Sequence, residues 1–525
     1  MKEVTIKISR FNPETDDRPV LKEYRVPYQN QDSVLGALLH IYEEIDSTLF
    51  FTYGCRYRVC GKCAIKINGR PMLACETPLE DGMVLEPLDH LPVLRDLAVD
   101  RSDLLEPLRR NEILFDPGQK AGVAFQPPEF SHLMRCNECL SCVSDCPVFG
   151  QKVGYDGPFF GARLAQLHYD VRHRGDLLPR LDSFLDRCIL CKRCELNCPW
   201  DIRFPEISTK IKGELFKRKR VSVRDWLMAR PSRVGPIASL FASPLNALSR
   251  KKVVRKAMDR TLKIDEKAPF PEYHRRPIRQ RGVGKTERKV AYFLGCFDKF
   301  NDPGTAQASL DVLEGIGLGI ELIDLGCCGA PFIGLGDLEA ARSKALGLSK
   351  GIERWIHQGY DIVLSCPSCG IMLKNEYPAL FHLMEGKAFQ DHLFDLGDYL
   401  GRMDHEGRWK KEFGEIRKKV GYQVSCHLKA QKTGTPFLHL LKQVPGLEII
   451  HLFDQCCGMA GTMGFKKEKF DLSQKVGEPL FEAIKKSGLD LILSDCASCR
   501  MKIGKEANVN TLHPILILRE ALKSQ

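Results

Sequence analysis

The sequence predicts a multidomain protein in which an α+β domain is followed by a helical domain and then by two α/β domains. The chain of 525 residues is long enough for three or four domains of about 100–200 residues each. Apolar and polar residues alternate around Val4, Ile6 and Ile8, which is typical of a half-buried strand. Residues 287–525 contain an internal repeat in which apolar runs alternate with helical stretches. This pattern predicts buried parallel strands joined by helices.

The first domain is predicted over residues 1–104. Strand alternation returns at Tyr24 and Val26, and Ser33 is placed to cap a helix over the apolar residues of 35–41. Residues 105–215 have a mostly helical pattern and form the second predicted domain. Residues 216–286 form a connector whose several prolines exclude one long helix.

The C-terminal repeat is marked by its cysteines. The strand-like segments VAYFLGC and VGYQVSC end at Cys296 and Cys426, and each half then carries a Cys-Cys-Gly sequence and a C-x2-C pair. Equivalent cysteines are 129 or 130 residues apart. We therefore predict a duplicated domain with halves at residues 287–405 and 406–525.

The 22 cysteines favour metal or redox chemistry over disulfides. The chain is long, and its opening MKEVTIKISRF lacks the apolar core of a signal peptide. We expect a cytoplasmic protein, and disulfides are rare in that reducing compartment. No apolar stretch reaches the roughly 18 residues of a transmembrane helix.

The first cysteine motif has the plant-type 2Fe–2S spacing, with four, two and eleven residues between its cysteines. Thiolates suit iron, and glycines at 54 and 61 allow a tight loop with amides directed at sulfur. The alternative is zinc, whose sites usually show two C-x2-C pairs about 12–20 residues apart. The predicted ligands are Cys55, Cys60, Cys63 and Cys75.

The next two motifs are C-x2-C-x2-C-x3-C-P runs of the bacterial ferredoxin type, which predict two 4Fe–4S clusters. Because the fourth cysteine of each run ligates the other cluster in such proteins, we predict crossed ligand sets. One set is Cys136, Cys139, Cys142 and Cys198, and the other is Cys188, Cys191, Cys194 and Cys146.

The repeated halves carry five cysteines each, one more than a tetrahedral zinc or an ordinary cubane needs. An unusual iron–sulfur site is therefore expected in each half, although buried cysteines can also serve as small apolar residues. The residues are Cys296, Cys327, Cys328, Cys366 and Cys369 in the first half and Cys426, Cys456, Cys457, Cys496 and Cys499 in the second. With these ten, every cysteine belongs to a motif.

The positive charge of the chain is concentrated in the connector. Residues 210–260 contain 15 Lys or Arg against three acids, whereas the whole chain has a net charge of +11. Between Ile237 and Leu248 the apolar residues fall on one helical face, directly before Arg250, Lys251 and Lys252. This pattern suits an anionic membrane surface. The alternative is a linker helix packed on a neighbouring domain, and Pro244 favours it because a proline interrupts the amphipathic helix. Nucleic-acid binding is not expected, since no aromatic and basic surface accompanies the charge.

Four kinds of known subunit share these motifs or their arrangement. Residues 1 to about 215, with GCRYRVCGKCAIKINGRPMLAC and HLPVLRDLAVD, resemble the iron–sulfur subunit of succinate dehydrogenase and fumarate reductase. The stretch QCCGMAGTMGFKKEKF is similar to the C subunit of anaerobic glycerol-3-phosphate dehydrogenase. The halves resemble the B subunit of heterodisulfide reductase, whose CCG motifs hold non-cubane 4Fe–4S clusters. The overall architecture is similar to the B subunit of thiol:fumarate reductase.

The resemblances imply a β-grasp 2Fe–2S ferredoxin domain, an α-helical two-cluster ferredoxin domain and two tandem α/β CCG domains. They also imply one or two further 4Fe–4S clusters in the CCG domains. FAD is expected on a separate flavoprotein subunit, because this chain has no Gly-rich dinucleotide fingerprint after an early strand. Electrons would pass between that flavin and the CCG domains.

Two departures from the succinate dehydrogenase pattern bear on the electron acceptor. Cys191 fills a position that this family usually leaves without cysteine, so a 4Fe–4S cluster is expected in place of a 3Fe–4S cluster. The sequence PVFGQKVGYDG after Cys146 lacks the tryptophans of the usual quinone site.

The terminal carrier is left open by the sequence. One hypothesis is exchange with menaquinone or a membrane partner, with the chain peripheral on the cytoplasmic face of the membrane. The second hypothesis is thiol–disulfide chemistry at the CCG clusters. In the third, the chain transfers electrons for another flavin dehydrogenase, such as glycerol-3-phosphate dehydrogenase. The non-enzymatic alternative is a zinc-binding scaffold. No catalytic residue is assigned.

Overall fold

The computed structural model describes residues 2–28, 32–102, 106–110, 125–151, 153–173, 175–275, 278–279, 289–409, 411–452 and 455–522. The chain divides into two compact units, Met1–Ile211 and Lys212–Gln525. Within the described ranges, no helix is long and apolar enough to cross a membrane.

The first unit opens with a mixed five-stranded sheet in the order β2-β1-β5-β3-β4. Its strands are β1 (Lys2–Arg10), β2 (Val20–Tyr28), β3 (Ala64–Ile67), β4 (Arg70–Leu73) and β5 (Val84–Glu86), and a small second sheet pairs β6 (Val93–Arg95) with β7 (Ala98–Val99). β1 and β2 form an antiparallel hairpin, whereas β1 and β5 run parallel. Val4, Ile6 and Ile8 are buried, which confirms the alternation predicted from the sequence.

Helix α1 (Val34–His40) packs in the same hydrophobic core as the sheet. The hydroxyl of Ser33 accepts a hydrogen bond from the amide of Gly36 at 3.2 Å, so Ser33 is the N-cap that the sequence predicts. The helix continues as a π-helical turn over Ile41–Ile45. Helix and mixed sheet together give the α+β domain expected for this segment.

A helical region follows, as predicted. Its helices are α2 (Glu106–Arg110), α3 (Pro128–Leu133), α4 (Ser141–Ser144), α5 (Gly157–Tyr169), α6 (Leu178–Leu185), α7 (Arg193–Leu196) and α8 (Phe204–Arg218), with a 3₁₀ turn at Phe149–Gln151. Helices α4 and α7 are equivalent elements of the two ferredoxin runs, because each lies between the second and fourth cysteines of its run.

The connector is a chain of short helices. They are α9 (Val223–Met228), α10 (Pro231–Leu240), α11 (Ala242–Ser249) and α12 (Lys252–Leu262). The sequence predicts that Pro244 interrupts the helix, and the structure bears this out: α10 ends at Leu240, and the chain leaves helical geometry at Phe241, where φ is −104° and ψ is 29°. In a continuous helix the ring of Pro244 would clash with the carbonyl of Leu240, four residues earlier. Pro244 lies in the first turn of α11, where its missing amide hydrogen costs little because those amides have no intrahelical acceptor.

The C-terminal part contains two four-stranded parallel sheets of the same topology. The first has the order β11-β10-β8-β9 and the second β13-β12-β14-β15. Their strands are β8 (Lys289–Phe293), β9 (Gly319–Ile323), β10 (Tyr360–Leu364), β11 (Leu393–Asp395), β12 (Lys418–Tyr422), β13 (Leu447–His451), β14 (Leu491–Leu493) and β15 (Asn510–Leu512). The predicted duplication of an α/β unit is confirmed.

The helices of the two halves surround these sheets. In the first half they are α13 (Cys296–Phe300), α14 (Pro303–Gly315), α15 (Ala330–Leu335), α16 (Leu338–His357), α17 (Pro367–Ile371), α18 (Tyr377–Phe381), α19 (Lys387–His392) and α20 (Leu396–His405). In the second they are α21 (Cys426–Ala430), α22 (Pro436–Leu441), α23 (Lys467–Ser487), α24 (Ala497–Glu506) and α25 (Pro514–Ala521). One hydrophobic core contains buried residues of both halves, including Tyr292 and Tyr422, so the halves are packed together.

Candidate metal centres

The first cysteine motif is folded by the β3–β4 hairpin. Cys63 immediately precedes β3 and Cys75 follows β4, and pairing of Ala64 with Leu73 brings the two strand ends together. The amide of Ala74 also donates to the carbonyl of Cys63 at 3.1 Å. The remaining cysteines of the motif, Cys55 and Cys60, lie in the loop before β3.

Backbone amides of this loop point at its sulfur atoms. Cys55 Sγ accepts from the amides of Tyr57 and Cys60 at 3.3 and 3.2 Å, and Cys75 Sγ accepts from the amide of Arg58 at 3.3 Å. These hydrogen bonds, from Tyr57 first and Cys60 second, lower the pKa of Cys55 to about 7. Such donors stabilise thiolates, the form in which cysteine binds metal, so the residues present fit an iron–sulfur cluster.

The two ferredoxin runs share a loop geometry that the sequence does not reveal. Leu140 and Lys192, which precede α4 and α7, are left-handed with φ of 67° and 63°. Glu138 and Leu190, two residues earlier, are left-handed as well, with φ of 58° and 51°. Left-handed backbone is unfavourable for such residues and persists where the surroundings enforce it, often at functional sites. Glycine is the usual sequence signal for this conformation, and neither run has one there.

The thiols of the two runs are crowded and buried. Burial raises the pKa of Cys142, and the neighbouring thiols of Cys139, Cys136 and Cys198 add to the effect. Thiolates that repel one another away from water need a cation between them. Iron would meet that need and would supply one-electron transfer when bound.

The second run has the corresponding environment. Burial raises the pKa of Cys194, with Cys191, Cys188, Cys142 and Cys146 adding to it. Burial also raises the pKa of Cys146 to about 12, and the thiol of Cys188 adds to the effect. The last cysteine of each run, Cys146 or Cys198, is therefore close enough to the other run for their thiols to interact electrostatically.

The loop of the first cysteine motif, residues 54–63 and named the 2Fe–2S loop below, directly contacts the first ferredoxin run. Gly61 has φ of +66°, and a Cβ atom there would lie 2.6 Å from the carbonyl oxygen of Asn137 and 2.9 Å from Cys139 Cα. The guanidinium of Arg101 donates to the carbonyls of Gly61 and Glu138, both at 3.4 Å, and so joins the two loops. No sequence pattern points to Arg101, because its partners are backbone atoms far away in the chain.

In the first CCG half, the cysteines lie at the carboxyl ends of strands β8, β9 and β10. Cys296 Sγ lies 3.8 Å from Cys327 Sγ, and the amide of Gly329 donates to Cys327 Sγ at 3.4 Å. The hydroxyl of Tyr377 donates to the carbonyl of Cys328 and fixes the loop from the opposite side. Parallel strands gather their carboxyl-end loops at one edge of the sheet, which explains how distant cysteines meet.

The second half repeats this geometry with different spacing. Cys457 Sγ lies 3.1 Å from Cys499 Sγ, and the amide of Gly458 donates to Cys456 Sγ at 3.3 Å. Four of its cysteines, at positions 456, 457, 496 and 499, are buried. Clustered soft donors with amide hydrogen bonds fit an iron–sulfur group in this half as well.

The two CCG sites lie on helices that contact each other. Ser368, between the two cysteines of the first C-x2-C pair, has its hydroxyl 2.8 Å from Nδ1 of His427, which follows Cys426. The side-chain amide Nε2 of Gln431 donates to the carbonyl of Pro367 at 3.2 Å. The sequence allows His427 to tune a cluster and favours an ordinary packed histidine. In the structure its ring is packed and forms the hydrogen bond that links α17 of the first half to α21 of the second.

Each half also has a buried tyrosine beside its C-x2-C pair. The hydroxyl of Tyr292 donates to Ser365 Oγ and that of Tyr422 to Asp495 Oδ2, both at 2.9 Å. Burial raises the pKa of Asp495 to about 6. The repeat offset of 130 residues relates Tyr292 to Tyr422 and Ser365 to Asp495, so an internal alignment could have found these pairs.

Comparisons with protein families match three kinds of domain. A 2Fe–2S iron–sulfur cluster binding domain covers residues 5–106, a 4Fe–4S dicluster domain covers 132–202, and a cysteine-rich domain matches twice, at 290–374 and 420–504. The matches have the order of the structural elements described above. They show that the chain is an iron–sulfur protein with both 2Fe–2S and 4Fe–4S domains.

Three curated relatives cover different parts of the chain. The B subunit of fumarate reductase (CoM/CoB) of Methanothermobacter marburgensis is 27% identical, covering 95% of this chain and 94% of that protein. The C subunit of anaerobic glycerol-3-phosphate dehydrogenase of Escherichia coli is 33% identical, covering 74% of this chain and 98% of that protein. The fumarate reductase iron–sulfur subunit of Mycobacterium tuberculosis is 32% identical, covering 38% of this chain and 87% of that protein.

Two kinds of evidence lead to the same family. One is the order of the domains with its paired CCG halves, and the other is similarity over nearly the full length of the relatives. The chain therefore belongs to the family of oxidoreductase iron–sulfur electron-transfer subunits that includes the C subunit of anaerobic glycerol-3-phosphate dehydrogenase and the iron–sulfur subunit of fumarate reductase.

Proposed function

We propose that this chain is the electron-transfer subunit of a fumarate reductase or succinate dehydrogenase type complex, in which electrons pass between an FAD-containing flavoprotein and menaquinone. The observation that carries the proposal is the similarity of its 2Fe–2S and dicluster domains to a fumarate reductase iron–sulfur subunit over 87% of that protein. The exposed residues of the 2Fe–2S loop support the proposal, because the side chains of Tyr57 and Val59 in this loop are 83% and 60% exposed. Exposed apolar groups beside a redox site suit contact with a partner protein.

The cofactors proposed are one 2Fe–2S cluster, two 4Fe–4S clusters and one or two non-cubane 4Fe–4S clusters. The ligand sets are those of the motifs, with Cys146 and Cys198 exchanged between the ferredoxin runs. The electrostatic proximity of Cys198 to Cys136 and of Cys146 to Cys188 supports this exchange. We retain the five segments 1–104, 105–215, 216–286, 287–405 and 406–525 as functional divisions.

The test is electron transfer by the native complex, purified without oxygen and supplied with succinate or fumarate at one end. A menaquinone analogue or a thiol pair is offered at the other end, and EPR follows the clusters. Quinone turnover without thiol turnover is the expected result. Thiol turnover alone would replace this proposal by the second candidate.

That second candidate is thiol–disulfide chemistry at the CCG sites. It is favoured by the similarity to the B subunit of fumarate reductase (CoM/CoB), which extends over 95% of this chain. The similarity to the C subunit of anaerobic glycerol-3-phosphate dehydrogenase supports a third assignment, service to another flavin dehydrogenase. Glycerol 3-phosphate offered in place of succinate distinguishes it.

We further propose that the connector attaches the chain to the cytoplasmic face of a membrane rich in anionic lipid. Ile237, Phe241 and Val253 on or between helices α10–α12 are 66%, 58% and 79% exposed. A basic cavity of about 570 Å³ lies nearby, lined by Ser249, Arg250, Lys252, Arg255, Lys256, Glu266, Lys267, Ala268, Phe270, Glu272 and Lys505. Apolar insertion combined with basic residues favours anionic phospholipid.

Flotation with vesicles of phosphatidylglycerol or of phosphatidylcholine tests this attachment. The complex is expected to float with the anionic vesicles, and the double variant Ile237→Asp, Phe241→Asp is expected to remain unbound. Leu346→Asp is the matched control, because Leu346 is an exposed leucine of α16, outside the connector. Equal flotation of all three proteins would contradict the proposal.

A further inference from the structure

A largely apolar cavity lies beside the first CCG site. It has a volume of about 580 Å³, within the roughly 300–1,000 Å³ of ligand pockets. Its apolar walls are Pro236 and Leu240 of α10, Ile278, Leu294 and Phe300 on either side of Cys296, and Leu322 of β9. Four of the lining residues, Leu294, Lys299, Phe300 and Leu322, lie within the cysteine-rich domain match at 290–374, and the others precede it.

The cavity is close to the cysteines of the first half. Leu294 is two residues before Cys296, and Phe300 ends helix α13, which begins at Cys296. A five-residue helix is only about 7 Å long, so the cavity wall lies within roughly 10 Å of this thiol. Burial raises the pKa of Tyr273, and the nearby thiol of Cys296 adds to the effect. Tyr273 precedes His274, which lines the cavity.

The few polar groups in the cavity can form hydrogen bonds with a ligand. Ser239 Oγ is buried and has no hydrogen-bond partner among the described residues. His274 is held in place by its own amide, which donates to the carbonyl of Phe300 at 2.9 Å. Arg275 is exposed and contributes to the lining, while the Lys299 ammonium is already paired with Asp324. An apolar wall with few donors suits a ring that carries carbonyl or hydroxyl oxygens.

The cavity also adjoins the exposed apolar face of the connector. Leu240 lines the cavity and is nevertheless 55% exposed, and its neighbours Ile237 and Phe241 are 66% and 58% exposed. A ligand with a long apolar tail could place its ring in the cavity and its tail along this face. A small charged thiol would gain nothing from either surface.

We propose that this cavity binds the ring of a lipid-soluble quinone next to the first CCG site. This inference rests on the proposed function, which requires a quinone partner but does not locate it. In the direction of fumarate reduction, a quinol gives up two electrons and two protons and leaves as the quinone. The electrons would leave one at a time toward the iron–sulfur groups that the cysteines would hold, and the two protons of the quinol would leave to water at the cavity mouth. At the flavoprotein, fumarate would take up the two electrons and two protons from water and leave as succinate.

The experiment measures binding independently of turnover. The complete complex, loaded with its clusters and purified without oxygen, is titrated with 2-heptyl-4-hydroxyquinoline N-oxide, a fluorescent quinol analogue whose emission is quenched when it binds. Leu240→Trp should fill the cavity and raise the Kd at least tenfold. His274→Ala should raise it several-fold through loss of a polar contact, and it remains informative if the tryptophan disturbs α10.

Two controls separate binding from stability. Leu346→Trp places the same side chain at an exposed leucine of α16 outside the cavity and should leave the Kd unchanged. Iron content and succinate oxidation by a water-soluble dye should be equal in all variants, because neither depends on the cavity.

Loss of analogue binding in both cavity variants, with dye reduction intact, supports the inference. Wild-type affinity in both variants would overturn it and leave the proposed function standing, provided that wild-type complex still turns over quinone. Absence of quinone turnover in the wild-type complex tests the proposed function separately. Absence of analogue binding by the wild-type complex overturns the cavity assignment itself.

Discussion

Arg101 carries a positive charge into the contact between the 2Fe–2S loop and the first ferredoxin run. Its guanidinium donates to the carbonyls of Gly61, Lys62 and Glu138 at 3.3 to 3.5 Å. Burial lowers the pKa of Arg101, and the nearby thiols, with Cys139 first, oppose that effect. A fixed cation at this position stabilises the reduced, more negative form of a nearby cluster.

We therefore expect Arg101→Gln to lower the reduction potential of the 2Fe–2S cluster by on the order of 50 mV. Redox titration followed by EPR measures the shift. Arg101→Lys, which keeps the charge, should retain most of the potential, and Arg70→Gln, on the exposed edge strand β4, should have no effect. A potential that is unchanged in Arg101→Gln would show that the guanidinium acts only as a structural donor.

Asp395 is a second residue whose environment has a measurable consequence. It caps helix α20 by accepting from the amide of Gly397 at 3.2 Å, and it is 1% exposed. Burial raises its pKa to about 8, the carboxyl of Asp495 adds to this, and Lys374 opposes it. The unfolded chain would have a carboxyl pKa of about 4, so the folded state binds this proton more tightly.

The free energy of unfolding should consequently fall as the pH rises from about 4 toward about 8. Asp395→Asn removes this dependence, and we expect it to be more stable than wild type at the upper end by on the order of 2 kcal/mol. Denaturant unfolding at several pH values between about 6 and 8.5 measures the difference. Exposed Asp391, changed to Asn, is the control, and parallel pH profiles for wild type and Asp395→Asn would contradict the prediction.

At the scale of elements, local sequence rules succeeded where the chain determines its own conformation. Ser33 caps α1, and alternation marks β1, because hydrogen bonding and burial there depend on near neighbours. They do not reveal the left-handed backbone of Leu140 and Lys192, because neither position has the glycine that usually signals it. The interruption predicted at Pro244 is also present, because α10 ends at Leu240, whose carbonyl the proline ring would meet in a continuous helix.

The CCG loops are elements for which two equivalent glycines make different contacts. Both are left-handed, with φ of 78° at Gly329 and 75° at Gly458. A Cβ atom at Gly458 would lie 2.0 Å from the carbonyl oxygen of Ser473 in α23, whereas one at Gly329 would first meet the hydroxyl of Tyr377 at 3.1 Å. Alanine at either position would therefore have the same left-handed backbone strain, and the two substitutions differ only in the steric clash of the new Cβ atom.

Gly458→Ala should displace the second CCG loop from α23 and reduce the iron bound by that half, whereas Gly329→Ala should cost only the roughly 1 kcal/mol of left-handed alanine. Iron and sulfide analysis with EPR of the anaerobic protein measures both effects. Equal iron loss in the two variants would mean that backbone strain, and not the contact with α23, limits the loop.

At the scale of the whole molecule, duplication was visible in the cysteine register, but the shared core of the halves was not. Phe437 in α22 is 1% exposed, packs edge-on against His513 with ring centroids 5.4 Å apart, and lies against the backbone of Gly397 in the first half. Periodicity identifies which face of α22 is apolar, but it cannot tell which half of the repeat covers that face.

Because both halves contribute to this core, we expect them to unfold as one cooperative unit. Phe437→Ala should destabilise that unit by about 3–5 kcal/mol and release the iron of both CCG sites at the same lower denaturant concentration. Denaturation of the anaerobic protein, followed by the EPR signals of each cluster type, measures this, with the 2Fe–2S signal as the internal reference. Ile8→Ala, in the buried face of β1, is the reciprocal control and should lower the midpoint for the 2Fe–2S signal first. If Phe437→Ala released iron from the second half alone, the halves would be separate folding units. The contact between helices α17 and α21 would then not couple the unfolding of the two halves.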